Sequence, residues 1–165
     1  MVDATGWAID GLRGAKTVDE VENILRSSAR AAIGADGCTV VRREHDKCYY
    51  SQEDAMSPLW KGQRFPLKEC ISGWSMLNRQ TVTIPDVALD ERIPQQAYRP
   101  TFVRSLLMVP VDDDEPVGAI GIYWADGHIA TSAEIAAIKR LAEAAASAYA
   151  RIRTERSDSK TPAVH

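Results

Sequence analysis

The sequence predicts an α+β domain on two observations. First, Ser105–Val111, reading SLLMVPV, and residues 117–124, reading VGAIGIYW, are apolar runs of strand length joined by the acidic turn DDDEP. At the two-residue period of a strand both runs place apolar groups on both faces, so the sheet they build is covered on both sides. Second, Thr17 with Glu20, and Thr131 with Glu134, have the capping-box spacing ahead of amphipathic runs near the two ends of the chain.

The elements follow in order. A short helix at about residues 7–12 precedes the helix opened by Thr17, whose Val21, Ile24, Leu25, Ser28 and Ala32 form one stripe. Gly34 and Gly37 stop that helix. Residues 38–43 read as a strand that turns at Glu44, His45 and Asp46 and pairs back through residues 47–51. The centre is less regular: a strand at 63–67, a short helix at Ile71–Asn78, a strand at 81–84, and a helical turn at 94–98 within a long loop. The closing hairpin ends in carboxylates and Pro116, which prefer water and end strand pairing, so 112–116 is an exposed tip. It lacks the spacing of a calcium loop. The last helix runs from Ser132 to about Arg156. Ile135, Ile138, Ala142, Ala145, Tyr149 and Ile152 recur on it at heptad steps, beside a second stripe of Ala137, Leu141, Ala144 and Ala148. Either one stripe covers the sheet while the other meets a partner helix, or both make one wide core face. Residues 157–165 are polar and expected to be disordered, giving a division into a lead-in at 1–16, a domain at 17–156 and a tail.

Composition sets the class. At 165 residues, 45% hydrophobic and 26% charged, the chain suits one domain with one core. A net charge of -3 gives no reason to expect nucleic acid. No apolar stretch approaches the roughly 20 residues of a membrane span, and the first residues lack the pattern of a secretory signal, so a cytoplasmic location is expected. Cys38, Cys48 and Cys70 form neither an even set nor a CxxC pair, so neither a disulfide framework nor a zinc site is expected. The hairpin places Cys48 opposite Arg43, which leaves Cys38 too far along its strand to bridge it.

Several segments together resemble one family. ISGW at 71–74 followed by QTVTIPD at 80–86, and LLMVPV at 106–111 followed by PVGAIG at 116–121, are similar to the paired blocks of the GAF domain, and the order of elements agrees. WKGQRFP at 60–66, CISGW at 70–74 and RIPQQAYRPTFVRSL at 92–106 resemble the GAF input domains of bacterial two-component sensor histidine kinases. That resemblance implies a PAS-related antiparallel sheet of about five to six strands, terminal helices on one face, and an irregular roof over a pocket on the other. It implies regulatory sensing of a small molecule or redox signal, a homodimer formed through the terminal helices, and a kinase domain in cis or in trans. The chain itself has no phosphoacceptor helix and no ATP-binding block, so no catalytic residue is assigned.

Trp60, Phe65, Trp74, Tyr98, Phe102 and Tyr123 lie on or next to the expected roof, with Cys70, Arg99 and Arg104 supplying polar groups: aromatic walls with a few polar anchors describe a ligand site. The same rings could instead fill a core beneath a loop. Arg104, if desolvated, needs a ligand anion or Asp86. Cys70 at a helix start is either an activated thiolate or a small buried hydrophobe. His45 and His128 are read as surface residues. Three other functions compete. A structural dimerisation module needs no ligand. A free methionine sulfoxide reductase of the GAF family would carry a cysteine in the loop before the closing hairpin, and residues 90–104 have none. A bilin photoreceptor is suggested by IPQQAY at 93–98, but Arg92 stands in place of that group's aspartate and no Cys-His pair follows. No cofactor or metal is assigned.

Overall fold

The structure is a computed structural model that describes residues 4–112 and 114–160. Helices α1 (Ala4–Gly14) and α2 (Val18–Ile33) lead into strands β1 (Gly37–Glu44), β2 (Lys47–Ala55) and β3 (Arg64–Pro66). Then come α3 (Ile71–Asn78), β4 (Val82–Ile84), the single turn α4 (Gln95–Tyr98), β5 (Ser105–Val111), β6 (Gly118–Trp124) and α5 (Ser132–Lys160). The six strands form one antiparallel sheet in the order β3-β2-β1-β6-β5-β4.

The capping box forms in full at Thr131 and in part at Thr17, where the Glu20 carboxylate accepts from Lys16 N at 2.8 Å. The Thr17 hydroxyl accepts from Glu20 N at 3.1 Å. Thr131 and Glu134 bond reciprocally, Glu134 N to the Thr131 hydroxyl at 3.1 Å and Thr131 N to the Glu134 carboxylate at 2.8 Å. Gly34, at φ 67°, takes the left-handed conformation that ends α2.

Every residue of β5 and β6 is buried, because two cores sandwich them. Leu107, Val109, Ile120, Ile122 and Trp124 join Cys38 and Val40 beneath α1, α2 and α5. Leu106, Met108, Ala119 and Tyr123 face the other way, into a second core roofed by residues 59–103. Tyr123 therefore floors the roofed side, and Trp124 lies on the helical side.

Four details depart from the sequence expectation, and α5 takes one of its two expected arrangements. Strand β2 runs four residues further, to Ala55, past a register shift in which Ser51 bonds the Val40 carbonyl at 3.2 Å. Strands β3 and β4 span three residues each. Helix α1 begins before residue 7. On α5 the heptad residues from Ile138 to Ile152 share one core with Leu141 and Ala148, so the helix has one wide face on the sheet and α1–α2. Its exposed positions mix polar residues, among them Lys139, Arg140, Glu143 and Ser147, with Ala133, Ala136 and Ala150. Finally, α5 stays helical to Lys160, which takes in the start of the expected tail; residues 161–165 and the tip residue Asp113 lie outside the described residues. At the tip, the Asp112 carboxylate accepts from Asp114 N at 3.0 Å. No described helix is long and apolar enough to cross a membrane.

Candidate functional site

The roof meets the sheet at a small cavity of about 10 Å³ lined by Tyr50, Trp60, Phe65, Cys70, Pro94, Ala97 and Tyr98. Strand β2 supplies Tyr50 from the floor, and the loop after β2 supplies Trp60. That loop is held by one side chain: the Glu53 carboxylate accepts from the backbone N–H groups of Leu59, Trp60 and Lys61 at 2.9, 2.9 and 2.8 Å. Three amides converging on one carboxylate fix the Trp60 backbone. Its indole N–H donates to the Ala97 carbonyl at 3.0 Å, which ties the first roof loop to α4.

Trp60 is the hub of the rings. Its centroid lies 4.6 Å from Tyr98, 5.6 Å from Tyr50 and 5.5 Å from Tyr123, and Tyr50 meets Phe65 edge-on at 5.5 Å. Such tilted and edge contacts add to area burial and resist displacement. The packing leaves room for about one water-sized molecule. Anything larger must part the roof from the floor.

The hydroxyls have different partners. Tyr50 pairs with Ser72 at 3.0 Å and Tyr123 with Thr39 at 2.8 Å. Tyr98, 4% exposed, has a buried hydroxyl with no hydrogen-bond partner among the described residues. Burial pushes all three phenols up, so they are neutral groups. Cys70 ends the short 3₁₀ turn at Leu67–Glu69 and precedes α3, with its sulfur 3.2 Å from that of Cys48 and 3.4 Å from the Ser72 hydroxyl. Gly73 makes this corner possible, because a Cβ there would overlap the Leu67 carbonyl.

Residues 15–150 match the sequence profile of the GAF domain. The chain belongs to the GAF domain family. No curated protein matches it. Solved structures agree on the fold. The GAF domain of an Acinetobacter phosphoenolpyruvate-protein phosphotransferase superposes with TM-score 0.78 at 14% identity, covering 94% of this chain and 96% of that one. A free methionine-R-sulfoxide reductase from Neisseria meningitidis, solved with its substrate, gives 0.78 at 15% identity, with 92% and 89% covered. The chromophore-binding domain of a bacteriophytochrome from R. palustris gives 0.77 at 14% identity, with 93% and 61% covered. An α+β fold shared at such low identity by a transferase module, a reductase and a photoreceptor does not select among their activities.

Within this GAF domain, the residues expected at the site fall into three groups. Trp60, Phe65, Cys70 and Tyr98 meet at the cavity, and Tyr123 lies beneath Trp60. Trp74 and Phe102 pack at the edge of the roof core: Trp74 carries the Arg92 guanidinium 4.4 Å above its ring, and Phe102 approaches Gly37. Arg99 and Arg104 are exposed and do not line the cavity. Arg104 therefore has no desolvation to offset, and Asp86 caps the 87–89 turn through Ala88 N at 3.0 Å. His45 is exposed in its turn, whereas His128 is half-buried, stacked 4.3 Å from Trp124 and 2.7 Å from the Glu134 carboxylate. The sequence reading missed Tyr50, Cys48, Glu53 and Ser72. Period two placed Cys48 and Tyr50 on one face of β2, but nothing in the pattern told which face.

Proposed function

We propose that this GAF domain is a regulatory small-molecule or redox-sensing input module of a bacterial two-component sensor histidine kinase, homodimeric through its terminal helices, with the kinase in cis or in trans. One observation carries the sensing: Tyr98, whose buried hydroxyl has no partner among the described residues, lines an aromatic cavity. Such a group gains a hydrogen bond from any polar ligand that reaches it. Because the rings fill the cavity, binding has to separate the Trp60 loop and α4 from β2. A ligand then shifts the domain between two roof positions by its difference in affinity for them. The kinase context is supported by the motifs at 60–66, 70–74 and 92–106.

The test is native mass spectrometry of the purified chain, followed by thermal-shift screening of metabolites against it and against Tyr98→Phe. A retained or screened compound that stabilises the protein, and does so less in the variant, supports the reading. No bound mass and no stabiliser would sink the small-molecule form of it. The tight ring packing favours one alternative, a dimerisation module whose pocket is permanently filled; concentration-dependent sedimentation without any ligand response is its signature. The reductase reading gains Cys70 at the cavity but has no cysteine in the 90–104 loop. A coupled thiol assay with free methionine sulfoxide tests it.

A further inference from the structure

Cys48 and Cys70 are 0% and 4% exposed, and both are free thiols. Their sulfurs are 3.2 Å apart, so a disulfide of about 2.05 Å needs an approach of only about 1.2 Å. Cys48 is fixed: it pairs with Arg43 of β1 on one side and Phe65 of β3 on the other. Cys70 sits at the junction of a 3₁₀ turn and α3 in extended backbone, φ -140° and ψ 157°, outside any strand pairing. The required movement therefore falls on the α3 side. A hydroxyl chain serves the pair, Tyr50 to Ser72 at 3.0 Å and Ser72 to Cys70 at 3.4 Å.

We propose that Cys48 and Cys70 form a reversible redox site, in which a small hydroperoxide converts the two thiols to a disulfide linking β2 to the start of α3. The roles are unequal. The hydrogen-bonded contact with Cys48 pulls the Cys70 thiol down, against the opposing effect of burial, with Ser72 and the Gly73 N–H adding to it. The same hydrogen bond and burial push Cys48 up, so it keeps its proton. Cys70 lines the cavity whereas Cys48 is 0% exposed, so Cys70 is the attacking sulfur and Cys48 the resolving one.

The Cys70 sulfur attacks one peroxide oxygen, and the O–O bond breaks. This gives a sulfenic acid at Cys70 and releases the other oxygen as an alcohol, or as water when the oxidant is hydrogen peroxide. The Cys48 sulfur then attacks the Cys70 sulfur, and the S–O bond breaks. The hydroxyl leaves with the Cys48 proton as water. Two thiols and one hydroperoxide thus become one disulfide, one alcohol and one water. A dithiol reductant reverses the change by exchange and is itself left as a disulfide. The cavity that reaches Cys70 has room for about one water-sized molecule, so hydrogen peroxide, the smallest hydroperoxide, parts the roof from the floor least and is favoured over bulky peroxides. That the bond signals rests on the sensory reading above; that it forms does not.

The test treats the purified full chain with stoichiometric hydrogen peroxide and then maps non-reduced peptides. The expected result is loss of two of the three free thiols, a Cys48–Cys70 linked peptide, and recovery of all three thiols with dithiothreitol. Cys38→Ser is expected to cross-link like the parent. Cys48→Ser is expected to stop at a sulfenic acid on Cys70 that dimedone traps. Three thiols left after treatment, or a bridge involving Cys38 or a second chain, would overturn the proposal, and because these readouts use the parent protein they hold even if a variant folds poorly. A disulfide that forms while hydrogen exchange of α3 stays unchanged would leave the redox site standing and remove its signalling role.

Discussion

Tyr98 has its ring packed against Trp60, yet its hydroxyl contributes no hydrogen bond to that contact. Burying a hydroxyl without a partner is a cost, whereas replacing it with hydrogen leaves the ring contact intact. Tyr98→Phe is therefore expected to keep or raise stability, by up to about 1 kcal/mol. Tyr50→Phe and Tyr123→Phe are expected to lower it by about 1 kcal/mol each, since they take from Thr39 its Tyr123 partner and from Ser72 one of its two, the Cys70 sulfur remaining. Urea unfolding of the three variants decides this, and a destabilised Tyr98→Phe would mean that its hydroxyl has a partner in solution. At this scale the sequence was informative about residue type and silent about direction. Trp60 and Tyr98 were legible as pocket aromatics, but Arg104, one residue before a buried strand, was read as a polar group near the pocket. Its own side chain turns outward, and residue order does not encode that. The pairing of Cys48 with Cys70 spans 22 positions, from a strand to an irregular corner, and no local pattern announces it.

Side-chain hydrogen bonds tie the segments of the roof together. After the 87–89 turn, the Asp90 carboxylate accepts from Arg92 N at 2.9 Å and grips the Arg92 guanidinium at 2.9 and 2.7 Å. The guanidinium in turn covers Trp74 of α3, so one carboxylate joins the loop to the helix. The Arg92 guanidinium holds the Asp90 carboxyl below the usual carboxylate range, against a smaller opposing effect of burial. For a depressed acid the sign is fixed: the stabilisation is complete above the ordinary aspartate range and is lost as pH falls through it toward the folded-state value. Acid is therefore expected to loosen the Arg92–Trp74 stack before the sheet unfolds. A change in tryptophan fluorescence that precedes loss of far-ultraviolet ellipticity, and is absent in Asp90→Asn, would show it; coincident transitions in both proteins would refute it. The regular elements were legible because their signals are local. Both capping boxes, the Gly34 stop, α3 and the closing hairpin rest on side chains a few residues apart. Strands β3 and β4, three residues each, exist because they pair with β2 and β5, and so their limits lay outside local pattern.

For the molecule as a whole, the sheet stands between the roofed cavity and the helical layer, and β1 touches both. Thr39 of β1 bonds Tyr123 beneath the cavity, while Arg42, three residues on, reaches α2 on the opposite face. There Arg42 makes a two-point contact with Glu22, at 2.7 and 3.0 Å, and Glu22 is 1% exposed. A carboxylate so buried is tolerable only while its partner is present, because a lone desolvated charge has nothing to offset its lost hydration. Arg42→Ala is expected to cost about 3 kcal/mol, near the low end for a broken buried pair because the arginine itself is about one-third exposed. Replacing both residues, as Glu22→Leu with Arg42→Leu, removes the buried charge and the need for its partner together. That double variant is expected to recover most of the loss in urea unfolding, with a coupling energy of at least about 1 kcal/mol between the sites. Recovery would mean that the ion pair sets the seat of α2 on the sheet more than it adds to stability, leaving helix position sensitive to β1. If the double variant is as unstable as the sum of the two single leucine variants, the pair is not coupled and β1 carries no such link to the helices.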